Sequence, residues 1–193
     1  MAFFRVVELE LTNIKKIVII GTGIMGIQIS QVAALRGFDV VLKSRSEICL
    51  NIALDKIKEN LKRSIYEERV TQEQANEVIA RITGTTSFLE AGRDAGLIIE
   101  SIVEDMKEKK RVFKEVSKAC PSCTIFSSNT SSLSITELAK SVGTPQQFIG
   151  LHFLNPAAAI KLVEIVEGKD TSLELQKSRK LCRRPRQNPD SNK

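Results

Sequence analysis

Residues 15–21, KKIVIIG, form a short apolar run rich in β-branched residues and ending in glycine, the pattern of a strand buried on both faces of a parallel sheet. A helix is predicted from about Gly23 to Arg36, with Gly37 placed to end it. FDVVLKS, residues 38–44, reads as a second strand and closes a βαβ unit. The period then changes. Leu50, Leu54, Ile57, Leu61 and Ile65 recur at intervals of four and three, which makes one apolar helical stripe. Thr71 with Gln74 forms a capping box for a further helix to about Arg81, so a helical hairpin is predicted over about 46–82.

Downstream, GLIIESI (96–102), TIFSSN (124–129) and QFIGLHF (147–153) read as three more strands. A charged amphipathic helix, about Glu104 to Cys120, separates the first two, and a shorter helix opened by Ser134 and Glu137 separates the second from the third. Thr83–Ser87 adds a short strand and KLVEIVEG, 161–168, a last one. Alternating strands and helices predict an α/β fold, a doubly wound (Rossmann) mostly parallel sheet with the helical hairpin inserted after the second strand. The expected organisation is an N-terminal extension at 1–13, a dinucleotide-binding domain at 14–172, and a basic, disordered tail at 173–193. In the extension, Val7, Leu9 and Leu11 alternate with polar residues, which suits an edge strand and an unstructured leader equally.

The formal charge of +6 suggests a polyanion partner until it is located. Residues 177–193 hold seven Lys/Arg against one Asp, and the remainder balances at 22 against 22. A neutral body argues against nucleic acid as a partner. The sequence has no long apolar run of membrane-spanning length. Glu8 and Glu10 interrupt the N-terminal stretch where a signal peptide needs an unbroken apolar core, so a cytoplasmic protein without a membrane partner is expected. Four scattered cysteines make no disulfide framework. Cys120 and Cys123 form a CPSC motif that suits either zinc or redox chemistry, or simply a turn made by Pro121 and Ser122, and no metal site is assigned.

GTGIMG, residues 21–26, carries more information because it closes a buried strand and opens a helix. In that setting Gly21 permits a tight turn, Gly23 lets a pyrophosphate approach the backbone, and Gly26 lets the helix pack on the strand, while Ile24 and Met25 complete the turn. A dinucleotide is therefore the expected cofactor, with NAD the default. The fingerprint asks for Asp or Glu at the end of the second strand, to bind the adenosine ribose. Ser44 occupies that position and Arg45 follows, so NADP is also admitted, since a carboxylate no longer repels a 2′-phosphate and a guanidinium stands beside it. The same residues are also compatible with weakened NAD binding, or with Arg45 packing over the adenine.

GTGIMG, ESIVEDMKEKKRVF, SSNTSSLSI and GLHFLNPAAAIKLVEIV occur in an order that resembles the nicotinamide-binding domain of the L-3-hydroxyacyl-CoA dehydrogenase family, over roughly residues 14–172. The resemblance implies hydride transfer between a nicotinamide cofactor and C3 of a 3-hydroxyacyl-CoA or 3-ketoacyl-CoA. It implies that His152, the only histidine, is the general base, that Glu164 orients its imidazole, and that Asn155 and Ser131 hydrogen-bond around the substrate oxygen. It further implies that Glu104 and Lys109 lie by the cofactor, the lysine also by the CoA substrate. Read by local chemistry alone, Ser131 and Asn129 also suit a helix cap, Asn155 a turn before Pro156, and Glu104 and Lys109 a solvated helix.

Members of the family continue into a mostly helical domain that forms homodimers and closes over the substrate. No counterpart of it is seen in this sequence, so the resemblance implies a truncated enzyme of doubtful activity. The alternatives are a non-catalytic dinucleotide-binding fragment and a dehydrogenase acting on a sugar acid.

Overall fold

A computed structural model of the chain describes residues 14–160, 162–173 and 175. The elements run β1 (Lys16–Ile20), α1 (Ile24–Leu35), β2 (Asp39–Lys43), α2 (Glu47–Tyr66), α3 (Gln72–Arg81), β3 (Ile82–Thr85), α4 (Phe88–Gly92), β4 (Leu97–Glu100), α5 (Met106–Val116), β5 (Ile125–Ser128), α6 (Ile135–Ala139), β6 (Phe148–Phe153) and β7 (Val163–Glu167). The expected N-terminal extension, and the tail apart from Leu173 and Leu175, lie outside the described residues.

The strands form one sheet in the order β3-β2-β1-β4-β5-β6-β7. All neighbours pair in parallel except β6 and β7, which are antiparallel. The order reverses between β1 and β4, so the chain leaves opposite sides of β1 and opens a crevice beyond the carboxyl ends of these strands. From Ile17 onward β1 is apolar because both its faces are covered. Ile17 and Ile19 join the core under α1, α2 and α3, while Val18 and Ile20 join the core under α4, α5 and α6. Each such side chain, fully removed from water, contributes about 1.5–3 kcal/mol.

The helical hairpin is fixed at both starts by side-chain caps. The Ser46 hydroxyl accepts from the Cys49 N–H, and Thr71 and Gln74 make both bonds of a capping box. The Ser134 cap is only half of the expected box. Its hydroxyl accepts from the Glu137 N–H, but the Glu137 carboxylate goes to Lys110 and Lys140 instead of returning. α5 begins at Met106, two residues later than expected, because Asp105 caps it through the Glu108 N–H at 2.9 Å. The short α4 was not foreseen; Ser87 caps it, and Phe88 packs against the core under α5.

The CPSC segment is a turn in which the Thr124 N–H donates to the Pro121 carbonyl at 3.1 Å. Burial pushes the Cys120 thiol up to about 11, which keeps it protonated at neutral pH, whereas metal binding and thiol exchange need the thiolate. No described helix is long and apolar enough to cross a membrane.

Candidate active site

The turn after β1 shows why three glycines are needed. Gly21 has φ of +121°, and a Cβ there would lie 2.3 Å from the Ser101 carbonyl oxygen. A Cβ on Gly26 would lie 2.0 Å from the carbonyl oxygen of Gly21, so only glycine lets α1 start this close to the strand. Gly23 is different: nothing lies within 4 Å of its missing Cβ. That open side is where a pyrophosphate needs to approach, and no side chain caps α1, whose first N–H groups stay unclaimed by a cap. A cleft of about 910 Å³ runs from this turn, with Ser44, Arg45 and Phe88 toward one end and Ser101 and Asn129 among its other walls. Ile24 and Met25 line it too, and Ile24 is 70% exposed. The residues present thus fit a dinucleotide.

Ser44 is buried at the end of β2, where its N–H donates to the Thr85 carbonyl and its hydroxyl accepts from the Ser46 N–H at 3.4 Å. Among the described residues no acceptor takes the hydroxyl proton. Arg45 is exposed on the rim.

At the far edge of the sheet, antiparallel pairing sets His152 of β6 opposite Glu164 of β7. Residues paired across two strands point to the same face, and here the His152 Nδ1 lies 2.8 Å from a Glu164 carboxylate oxygen. The carboxylate accepts, so in the neutral imidazole this contact places the proton on Nδ1 and leaves Nε2 with its lone pair. The imidazole is 23% exposed and the carboxylate 57%, a geometry open to a substrate.

Two amides join this edge to the crevice. The Asn129 Oδ1 accepts from the N–H of Phe153 at 2.9 Å, and its Nδ2 donates to the Ser101 hydroxyl at 3.1 Å. A wall of the cleft is thereby bonded to the residue next to His152. Asn155 lies in the loop after β6, and its Oδ1 accepts from the Gln28 Nε2 at 3.1 Å. The Gln28 Oε1 accepts in turn from the Ala157 N–H at 2.6 Å, so α1 grips the loop at two points. Gln28 was missed from sequence, although an amide inside a helix that is otherwise almost wholly apolar or small was a signal. Ser131 is exposed in the loop after β5, and among the described residues it makes no hydrogen bond to His152 or Glu164.

Lys109 is placed differently from expectation. Its side chain is fully buried, with Nζ 2.7 Å from Glu100 and 3.3 Å from Glu104, so it presents no accessible atom to a cofactor or to CoA. Glu100, also fully buried, accepts in addition from the Ile102 N–H at 2.7 Å and the Ser128 hydroxyl at 2.6 Å. The physical reason is position: on α5, Lys109 shares the buried stripe with Val112, Phe113 and Val116. Glu104 is half-exposed above this pair and accepts from the hydroxyls of Thr130 and Ser132. Burial pushes its carboxyl up, but the Thr130 hydroxyl and the Lys109 ammonium outweigh that and hold it below the usual glutamate range.

Residues 16–189 match the 3-hydroxyacyl-CoA dehydrogenase, NAD binding domain. The chain belongs to the 3-hydroxyacyl-CoA dehydrogenase family. The match runs past residue 172, where the resemblance was expected to fade. A 3-hydroxybutyryl-CoA dehydrogenase of Clostridioides difficile is 41% identical over 170 residues, covering 84% of this chain and 60% of that protein. The mitochondrial hydroxyacyl-coenzyme A dehydrogenase of Sus scrofa is 37% identical, covering 82% of this chain and 52% of the relative. Among solved structures, 3-hydroxybutyryl-CoA dehydrogenase from Escherichia coli superposes with a TM-score of 0.83 at 34% identity, covering 88% of this chain and 36% of that one. This family member thus spans about half the length of the curated relatives it matches.

Proposed function

We propose that this chain carries the cofactor-binding and proton-transferring part of a 3-hydroxyacyl-CoA dehydrogenase, interconverting the C3 hydroxyl and ketone of an acyl-CoA. The observation that carries the reading is the 2.8 Å contact of His152 with Glu164, on an edge that Asn129 bonds to the glycine crevice. A nicotinamide dinucleotide, when bound, supplies the hydride acceptor or donor. NAD is the form named for the matching domain, and Ser44 with Arg45 at the ribose position leaves room for NADP.

The protein's own contribution is proton transfer and positioning. With Nδ1–H held by Glu164, the His152 Nε2 takes the proton from the substrate hydroxyl as C3 is oxidised. The resulting imidazolium lies against the Glu164 carboxylate, which stabilises the charge. Asn155 and Ser131 are assigned to the substrate oxygen. Asn155 is oriented by Gln28; Ser131 rests on the resemblance and on its exposed place in the loop. Gly21, Gly23, Ile24 and Met25 border the pyrophosphate and Gly26 lets α1 start close enough to receive it. Glu104 is assigned to the nicotinamide end on the resemblance, with Lys109 acting on it from beneath. The substrate class follows the names of the relatives, which act on 3-hydroxybutyryl-CoA and other hydroxyacyl-CoA compounds. The proposed setting is cytoplasmic, in keeping with three free cysteines among the described residues.

The test is oxidation of NADH and of NADPH by the full chain in the presence of acetoacetyl-CoA. Turnover that disappears in His152→Ala is the expected result. Cofactor binding without turnover would instead mark a non-catalytic dinucleotide-binding module, and turnover confined to sugar-acid substrates would move the chain to a different reaction.

A further inference from the structure

Beyond the pyrophosphate turn, the cleft contains a concentration of positive charge. Lys43 ends β2 and belongs to the sheet face covered by α4 and α5, and its Nζ lies 3.6 Å from the centre of the Phe88 ring. The residue is only 7% exposed. Among the described residues no carboxylate lies within ion-pair distance of its ammonium, which rests against the face of the Phe88 ring. Arg111 of α5 lines the same cleft, held by Glu108 at 2.8 Å, and Arg45 lines it from the rim. Lys43 and Arg111 both line this cleft, and burial first, then the Arg111 charge, draw the Lys43 ammonium below the usual lysine range.

Burying a cation without a counter-ion is unfavourable, and the other buried lysine of this protein, Lys109, has two carboxylates. Glu108, the one acidic residue among the cleft walls, is already committed to Arg111. The counter-ion of Lys43 is therefore to be sought in the ligand. On the dinucleotide reading, on which this inference rests, the end of β2 meets the adenosine ribose. A 2′-hydroxyl there asks for an acceptor carboxylate, which Ser44 does not supply. A 2′-phosphate asks for donors and positive charge.

We propose that Lys43, together with Arg45 and Arg111, forms a subsite for the phosphate of a phosphorylated adenosine ribose, so that this chain selects NADP(H) over NAD(H). Coenzyme A also carries a ribose phosphate on adenosine, at the 3′ position. The subsite is continuous with the glycine turn, which commits it to the dinucleotide.

The experiment is titration of the full chain with NADH and NADPH, followed by fluorescence at low ionic strength, with 2′,5′-ADP and 3′,5′-ADP as competitors. NADPH is expected to bind roughly tenfold or more tightly than NADH, the gain of one charge-assisted contact. Lys43→Met is expected to remove that preference while NADH affinity stays within about twofold. Arg45→Ala, an exposed change that leaves the core untouched, is expected to reduce the preference in the same direction. Equal or tighter binding of NADH, or a Lys43→Met variant that loses both cofactors alike, overturns the proposal and leaves the dinucleotide reading standing. Displacement of NADPH by 3′,5′-ADP as effectively as by 2′,5′-ADP assigns the phosphate site to coenzyme A and overturns it too. Binding of neither cofactor defeats the dinucleotide reading itself.

Discussion

Two acid–base pairs in this protein have nearly the same separation and opposite character. Lys109 and Glu100 meet at 2.7 Å with both side chains fully buried, and every oxygen of Glu100 is occupied, by Lys109, the Ile102 N–H and the Ser128 hydroxyl. His152 and Glu164 meet at 2.8 Å on an edge hairpin, partly exposed, and among the described residues the imidazole Nε2 has no hydrogen-bond partner. Distance does not distinguish them; unspent hydrogen-bonding capacity does. The first pair fastens the ends of β4 and β5 to α5 and has nothing left to offer a substrate. The second is oriented by one bond and keeps the other nitrogen free. A buried, fully satisfied pair gives specificity of structure, and a half-satisfied one gives reactivity.

The contrast can be broken most severely at Lys109. Lys109→Met leaves the carboxylates of Glu100 and Glu104 without their cation, and a loss of about 3–5 kcal/mol is expected, measured as a lower denaturant midpoint. Adding Glu100→Gln to that variant is expected to restore part of the stability. A double variant no more stable than the single one shows that the pair is uncoupled.

At the edge pair the effect moves from stability to turnover. His152→Ala is expected to lower turnover by roughly 10²- to 10⁴-fold with the denaturant midpoint unchanged. Glu164→Gln removes a charge-assisted bond of about 1.5–3 kcal/mol at most, and its exposure places the loss near the lower end, roughly tenfold. If both variants unfold more readily and turnover per folded molecule is preserved, the pair belongs with Lys109 and Glu100 as a structural fastening.

Gln28→Ala sharpens the comparison because it touches neither pair. It removes two bonds to the loop after β6, each about 0.5–1.5 kcal/mol. Faster hydrogen exchange at the Ala157 amide and a few-fold loss of turnover are expected, and unchanged exchange refutes the tether.

The smallest expected effect lies at Glu104. Its carboxyl is held below the usual glutamate range, so the ionised form favours the folded state above the ordinary glutamate pKa and that contribution is lost as pH falls through the folded value. Stability of the wild type is expected to decline below pH about 4.5, and Glu104→Gln to decline less steeply over the same window. Parallel acid limbs for the two proteins exclude this assignment.

The sheet was legible wherever a strand is buried on both faces, as in the IVII of β1 and the LII of β4, because an apolar run followed closely by Gly or Ser leaves few alternatives. Caps were legible for the same local reason, as at Thr71 and Gln74. FLEAG was not read as a helix because five residues are too few to show a period. The stretch DMKEKKRVF reads as a solvated helix by composition, yet Lys109 stands three and four residues before Val112 and Phe113, and that spacing marks it as an inward-facing lysine. Its partner Glu100 comes from another strand, which no local pattern reveals. The pairing of His152 with Glu164 is likewise a matter of strand register, supplied by the family resemblance and not by the residues themselves. Lys43 stands at the end of an apolar run, and nothing local marks a lysine there as buried.

That β7 runs against β6 makes alignment between two neighbouring strands a chemical variable. A shift of a single residue sends every side chain of β7 to the other face of the sheet, and either Val163 or Ile165 then stands across from the imidazole. Neither has a polar atom on its side chain. Misalignment therefore abolishes the carboxylate contact outright, with no weakened intermediate.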